Sequence, residues 1–255
     1  MIFQEIFIAL VGAAIGSFLN VCIMRMPAGE SLVLPASHCP KCFYPIKYYN
    51  NIPIISYLLL GGKCRNCREK ISLQYPLVEL AAAIIILLLF WKFGLTLKFV
   101  FSFIFCCVLI IITAIDLEHQ IIPDALTLPG IPFFFFIAVF AMDINWLEAV
   151  LGALVGGGFF YAIAYGYEVI AKREGMGGGD IKLLAMVGAF LGWKSLLFIL
   201  LVSSFLGAVV GVAVMLIKKK DMKYAVPFGP FLSIAAIAHI FWGDEFIRLL
   251  FFSHG

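Results

Sequence analysis

Eight apolar runs separated by short polar stretches account for most of this chain. They cover Ile6 to Met24, about Leu73 to Trp91, Phe99 to Ile115, Ala125 to Met142, Ala149 to Tyr167, Leu183 to Trp193, Ser195 to Ile217 and about Val226 to Trp242. A helix of about 20 apolar residues spans the ~30 Å hydrocarbon layer of a bilayer. The pattern therefore predicts an all-α polytopic membrane protein of about eight transmembrane helices. The sixth run is short and reaches a spanning length only when extended to Asp180 and Lys194, so those charged groups are expected to face protein or a water-filled cavity. Pro129 and Pro132 predict an irregular or kinked start to the fourth helix. Gly152-x-x-x-Gly156 predicts a face on which another helix comes close. The eighth run is expected to end near Trp242, with Phe246 to Phe252 lying along the membrane surface.

Composition agrees with that pattern. The chain has 255 residues, is 64% hydrophobic and 13% charged, and has a mean hydropathy of +1.08. A soluble domain carries about 45–50% apolar and about 25% charged residues. Glu5 precedes the first run and Arg25 follows it, the reverse of a cleaved secretory signal, so a retained first span is expected with its N-terminus outside. In an eight-span count Arg25, Lys172–Arg173 and Lys218-Lys219-Lys220 all fall on one side, the cytoplasmic one.

Residues 26–75 interrupt the pattern. From Arg25 to Tyr75 seven basic side chains oppose only Glu30 and Glu69, and five prolines with Gly61-Gly62 disfavour long helices. Cys39-Pro40-Lys41-Cys42 and Cys64-Arg65-Asn66-Cys67 form two Cys-x-x-Cys pairs separated by 21 residues. Four thiolates so spaced suit tetrahedral structural Zn2+. Disulfides and redox dithiols are the competing readings, and a cytoplasmic location disfavours stable disulfides. His38 is not expected to be a fifth ligand, and Cys22, Cys106 and Cys107 are expected to be small buried hydrophobes. Topology already explains the basic charge, so no nucleic-acid partner is expected. The organisation expected is a first transmembrane helix (1–25), a cytoplasmic zinc-binding insert (26–75) and a polytopic membrane core (76–255).

Two acids end up at the same membrane face in this topology. Asp116 closes the third run and Asp180 opens the sixth behind Gly177-Gly178-Gly179. Neighbouring carboxylates share a proton, so one can activate water while the other protonates a carbonyl or a leaving amine. The glycines let the backbone turn sharply and come close to a peptide. Three readings of the acids stay open at this level: catalysis, helix capping with interface anchoring, and an ion or proton path. Asp124 and Glu118 compete with Asp116 as the first acid. Asp124 is expected to be an N-cap, as is Asp180 in the capping reading. Glu79 interrupts the second run and is a functional candidate, or a partner of Arg25.

Together these motifs resemble the prepilin peptidases, the type IV prepilin leader peptidases. The resemblance runs through Gly16-Ser17-Phe18-Leu19-Asn20-Val21 with Arg25-Met26-Pro27, the paired Cys-x-x-Cys motifs, Asn51 to Tyr57, Tyr75-Pro76-Leu77-Val78-Glu79-Leu80, Asp116 with Ile122-Pro123-Asp124, and the Gly-x-Gly-Asp motif at Gly177–Asp180. It implies an aspartic endopeptidase of the bacterial inner membrane with Asp116 and Asp180 as the catalytic pair at the cytoplasmic face, and Gly177, Gly178 and Gly179 supporting them. Its partners would be membrane lipid and, as substrates, type IV prepilins or type II secretion pseudopilins. Its cysteine-bearing insert implies a second activity, N-methylation of the new N-terminus with S-adenosylmethionine. Arg25 and Glu79 are candidates for substrate handling or methyl transfer. The alternative is a noncatalytic membrane protein that organises a pilus or secretion machine. A transporter would need more polar groups within the spans than this chain has.

Overall fold

The computed structural model describes residues 2–171, 177–218 and 227–251. The chain divides into two compact units, residues 1–111 and 112–255. Among the described residues there are no strands, only isolated bridges at His38–Pro45 and Lys63–Lys70. Backbone groups in hydrocarbon must bond within their own segment, and the apolar runs do so as helices. Among the described residues six helices are long and apolar enough to cross a membrane, as in a multi-pass membrane protein. The two remaining runs lie in the 14-residue helix Gly178–Leu191 and in the apolar stretch Gly229–Gly243 of a longer helix.

In the first unit α1 (Ile2–Arg25) packs along α3 (Gln74–Phe93). Their contact is made at Gly12 and Gly16, where an added methyl would meet Ile86 or, at 2.6 Å, the Cα of Glu79. That seam has the same four-residue spacing as Gly152–Gly156. The insert between them has only one 3-10 turn (Tyr48–Asn50) and one short helix, α2 (Ile55–Leu59). Gly94, at φ 61°, ends α3.

α4 (Leu97–His119) leads into the second unit, where α5 spans Asp124–Ala141. Pro129 and Pro132 lie inside α5, which nonetheless runs unbroken from Asp124 rather than starting irregularly. α6 (Trp146–Ala153) is capped by the Asn145 side chain, continues through one wider π turn (Leu154–Phe159), and passes into α7 (Phe160–Ala171). α8 (Gly178–Leu191) has 14 residues and ends at Gly192, whose φ of 80° favours glycine. The expected close approach at Gly152 and Gly156 is present: they meet the backbone carbonyls of Gly188 and Leu184 on α8. α9 (Trp193–Lys218) is followed by α10 (Gly229–Phe251), a single helix in which residues 246–251 continue the axis instead of forming a separate surface segment. The basic residues Lys172, Arg173, Lys219 and Lys220, together with Gly175, Met176 and Val226, lie outside the described residues.

Candidate active site

Asp116 sits in the last turn of α4 and is 5% exposed. Its Oδ2 accepts the backbone N–H of Gly229 at 3.0 Å, at the start of α10. The pair is buried, so the bond holds the carboxylate in a fixed rotamer. A methyl group at Gly229 would lie 2.6 Å from that oxygen and 3.1 Å from Ile122 Cδ1. Ile122 also packs against Gly179, where an added methyl would lie 2.9 Å from its Cβ. One isoleucine thus wedges between the glycine ahead of Asp180 and the glycine that holds Asp116.

Asp180 is the third residue of α8, not its N-cap. The N-cap is Gly177, whose carbonyl accepts the Asp180 N–H at 3.1 Å. Asp180 is half-buried, and the charge of Asp116 bears directly on it. Within this unit the fold brings together both aspartates and the glycines before Asp180. It gives the other acids different positions. Asp124 is the first residue of α5 behind the N-cap Pro123, and both of its carboxylate oxygens take the Lys182 Nζ, at 2.7 and 2.9 Å. Glu118 and His119 are exposed at the end of α4. Sequence reasoning missed Gly229. Its signal was Pro227-Phe228-Gly229-Pro230, which marks a helix start and says nothing about which backbone amide will be used.

In the first unit the thiol sulfurs of Cys39, Cys42, Cys64 and Cys67 all lie within 4.8 Å of one another. The Cys39–Cys67 sulfur separation of 3.8 Å equals the edge of a tetrahedron with Zn–S bonds of about 2.3 Å. The two pairs are built alike: Phe43 and Arg68 adopt positive φ and donate their N–H groups to the carbonyls of Cys39 and Cys64. The backbone N–H of Tyr44 draws the Cys42 thiol down to about 6. Although the Glu69 amide draws Cys67 the other way, burial and the other thiols push it up to about 12. Four such groups cannot all ionise without a cation, so the cluster fits a metal ion. All seven cysteines are free thiols. His38 stacks on Phe43 and is outside the cluster.

Arg25 and Glu79 do not form an ion pair among the described residues. The Arg25 guanidinium donates to the carbonyls of Ser31 (2.8 Å) and Pro35 (2.6 Å), pinning the start of the insert. Glu79, 7% exposed, accepts the Ile54 N–H at 2.7 Å and a bond from Ser17. Ile54 has φ 62° and ψ −50°, and the Ile55 N–H reaches back to the Pro53 carbonyl at 2.6 Å. This is a γ-turn of the strained hand, centred on a β-branched residue. Glu79 therefore joins α1, α3 and the strained turn of the insert.

Two family models match the chain. One, described as the bacterial peptidase A24 N-terminal domain, covers residues 10–93, and the other, the type IV leader peptidase family, covers residues 103–212. The chain is 36% identical over 256 residues to a prepilin leader peptidase/N-methyltransferase of Pseudomonas putida, spanning 92% of this chain and 89% of that relative. The proteins of the same name from Pseudomonas aeruginosa and Legionella pneumophila are also 36% identical, over 94% and 96% of this chain and 90% and 94% of theirs. No solved structure matches the chain.

Proposed function

The chain belongs to the type IV leader peptidase family, and from that premise we propose that it is a prepilin leader peptidase and N-methyltransferase with Asp116 and Asp180 as its catalytic pair. The observation that carries the site assignment is the fixed Asp116 carboxylate, held by Gly229 and electrostatically coupled to Asp180 across positions that admit no side chain. With Asp116 Oδ2 held by an amide, Oδ1 is the oxygen left to orient water. The pair shares one proton. The ionised member takes a proton from water as it attacks the scissile carbonyl, and the protonated member donates to the carbonyl oxygen. The tetrahedral intermediate then collapses as the leaving amine is protonated. Gly177, Gly178 and Gly179 keep side chains out of the way, so a peptide backbone can lie against the start of α8.

The substrates of this reading are type IV prepilins or type II secretion pseudopilins, each carrying an apolar segment next to the scissile bond. The enzyme lies in the bacterial inner membrane with the dyad at the cytoplasmic face. S-adenosylmethionine, when bound, would supply an electrophilic methyl group to the new N-terminal amine, which must be neutral to attack it, with S-adenosylhomocysteine as the leaving group. Zn2+ is the metal proposed for Cys39, Cys42, Cys64 and Cys67, where it acts as a structural ion holding the insert (26–75) between the first helix (1–25) and the membrane core (76–255). Arg25 and Glu79 act on the shape of that insert through the loop and the turn they hold.

The test is cleavage of a prepilin-like substrate that retains its apolar segment, by membrane-reconstituted enzyme, read by intact mass with and without S-adenosylmethionine. The expected result is loss of the leader mass, abolished in both Asp116→Asn and Asp180→Asn, and a donor-dependent gain of one methyl. Cleavage unchanged in both variants removes the dyad assignment.

A further inference from the structure

We propose that the Lys182–Asp124 ion pair is the rotational pin of the catalytic dyad: it fixes the first turn of α8 and so aims Asp180 at Asp116. This rests on the reading of the two aspartates as the catalytic pair. α8 carries only two polar side chains, Asp180 and Lys182. Two positions apart on a helix, they project about 200° from one another, so a contact that fixes one flank fixes the aim of the other.

Farther along, α8 is set by Phe190 against Phe134 and Met186 against Gly130 on α5, so the angle left to fix is that of the glycine-rich first turn that carries Asp180. Against α6 and the π turn it packs through Gly188, Leu184 and Ala185, at the backbone or through one methyl, opposite Gly152, Gly156 and Gly157. Such smooth surfaces set the distance between helices but offer few interlocking knobs against rotation. The helix start has no side-chain cap either, since Gly177 occupies the N-cap. The bond from Lys182 Nζ to both oxygens of Asp124 supplies the missing direction.

Its target is well chosen. Asp124 opens α5, eight residues after Asp116, and Ile122, which wedges between Gly179 and Gly229, lies within the same connection. The ion pair thus links the segment following one catalytic acid to the helix bearing the other. The two side chains are 37% and 56% exposed, and ion pairs that open to solvent contribute little to stability. A structural brace would be expected deeper in the fold, whereas a pin needs only direction.

The experiment uses the reconstituted full chain and a prepilin-like substrate. It compares Asp124→Lys, Lys182→Asp, the double exchange and Lys182→Arg with Asp116→Asn and Asp180→Asn, recording kcat, KM and melting temperature for each. Misaiming a catalytic group by about 1 Å costs on the order of 10²-fold. Each single reversal is expected to lower kcat by about that factor, with KM and melting temperature near wild type. The double exchange is expected to recover most of the rate, and Lys182→Arg to keep it. Wild-type kcat in both single reversals, with both Asn variants dead, overturns the pin and leaves the dyad standing. Rate and melting temperature falling in proportion, without recovery in the double exchange, makes the pair a structural brace and also overturns the proposal. Cleavage by both Asn variants removes the dyad itself, and the pin with it.

Discussion

Gly229 and Asp116 lie 113 positions apart, and the amide of the first donates to the carboxylate of the second at 3.0 Å. Only a residue without a Cβ permits that approach, because a methyl there would lie 2.6 Å from Oδ2. Gly229→Ala is therefore expected to push the Asp116 carboxylate off its position while leaving the membrane helices folded. Cleavage should fall on the order of 10²-fold. Gly158→Ala and Gly166→Ala, where an added methyl meets nothing within 4 Å, are expected to cleave like wild type. Full activity in Gly229→Ala, measured as turnover per folded enzyme, would remove this contact from the site.

Asp116 and Asp180 were visible in the sequence because each stands at the end of an apolar run, where charge patterning alone predicts a helix boundary. Gly229 was not, because a backbone amide leaves no trace in residue type. Asp124 was visible as an acid but not in its role: an N-cap and an ion-paired first residue look alike in sequence, and the partner lies 58 positions away. The Gly152–Gly156 seam was legible from its spacing, yet of the equally spaced Gly12 and Gly16 only Gly16 was read, as part of a family motif. Glu79 was recognised as costly to bury, but its partner is an amide of Ile54, and nothing in a β-branched residue announces a φ of 62°. The helices could be read because each is encoded locally, whereas the site depends on backbone groups meeting across long intervals.

The thiols of the insert give a test in which exposure and ionisation disagree. Cys67 is exposed but pushed up to about 12, and Cys42 is half-buried but drawn down to about 6 by the Tyr44 amide. The thiolate is the reactive form. In metal-free protein at pH 7, iodoacetamide is expected to modify Cys42 before Cys67, and modification of Cys42 should slow as the pH falls through about 6. A zinc ion bound to all four sulfurs should protect the set. Peptide mapping by mass spectrometry reads the order, and Cys67 reacting first would contradict it.

Glu79 stores the strain of the insert. Removing its carboxylate deprives the half-buried Ile54 N–H of its partner, at a cost of about 0.5–1.5 kcal/mol. Glu79→Ala is expected to loosen the turn from Pro53 to Ile55 and open the insert to limited proteolysis. Ile54→Gly removes the conformational penalty, since glycine accepts positive φ. In the Glu79→Ala background it should restore part of the lost protease resistance, as judged by digestion half-life. The same half-life in both backgrounds would mean that the carboxylate and the turn are not coupled.

The contact between Gly152 and Gly188 sets the distance at which α8, and Asp180 with it, is held from α6. An added methyl at either position runs into the backbone carbonyl of the other, and backbone cannot step aside as a side chain can. Gly152→Ala and Gly188→Ala are each expected to cost about 1–3 kcal/mol by overpacking. Both should lose cleavage as well, because α8 is displaced bodily. Gly130 on α5 provides the contrast, since an added methyl there meets the flexible thioether of Met186 on α8, with Phe134 only at ordinary contact distance. Gly130→Ala should keep its melting temperature within a few degrees of wild type. Thermal denaturation in detergent, run beside the cleavage assay, separates the two cases. If Gly152→Ala and Gly130→Ala melt alike, the α6–α8 seam tolerates separation, and the position of Asp180 must be set by its other contacts.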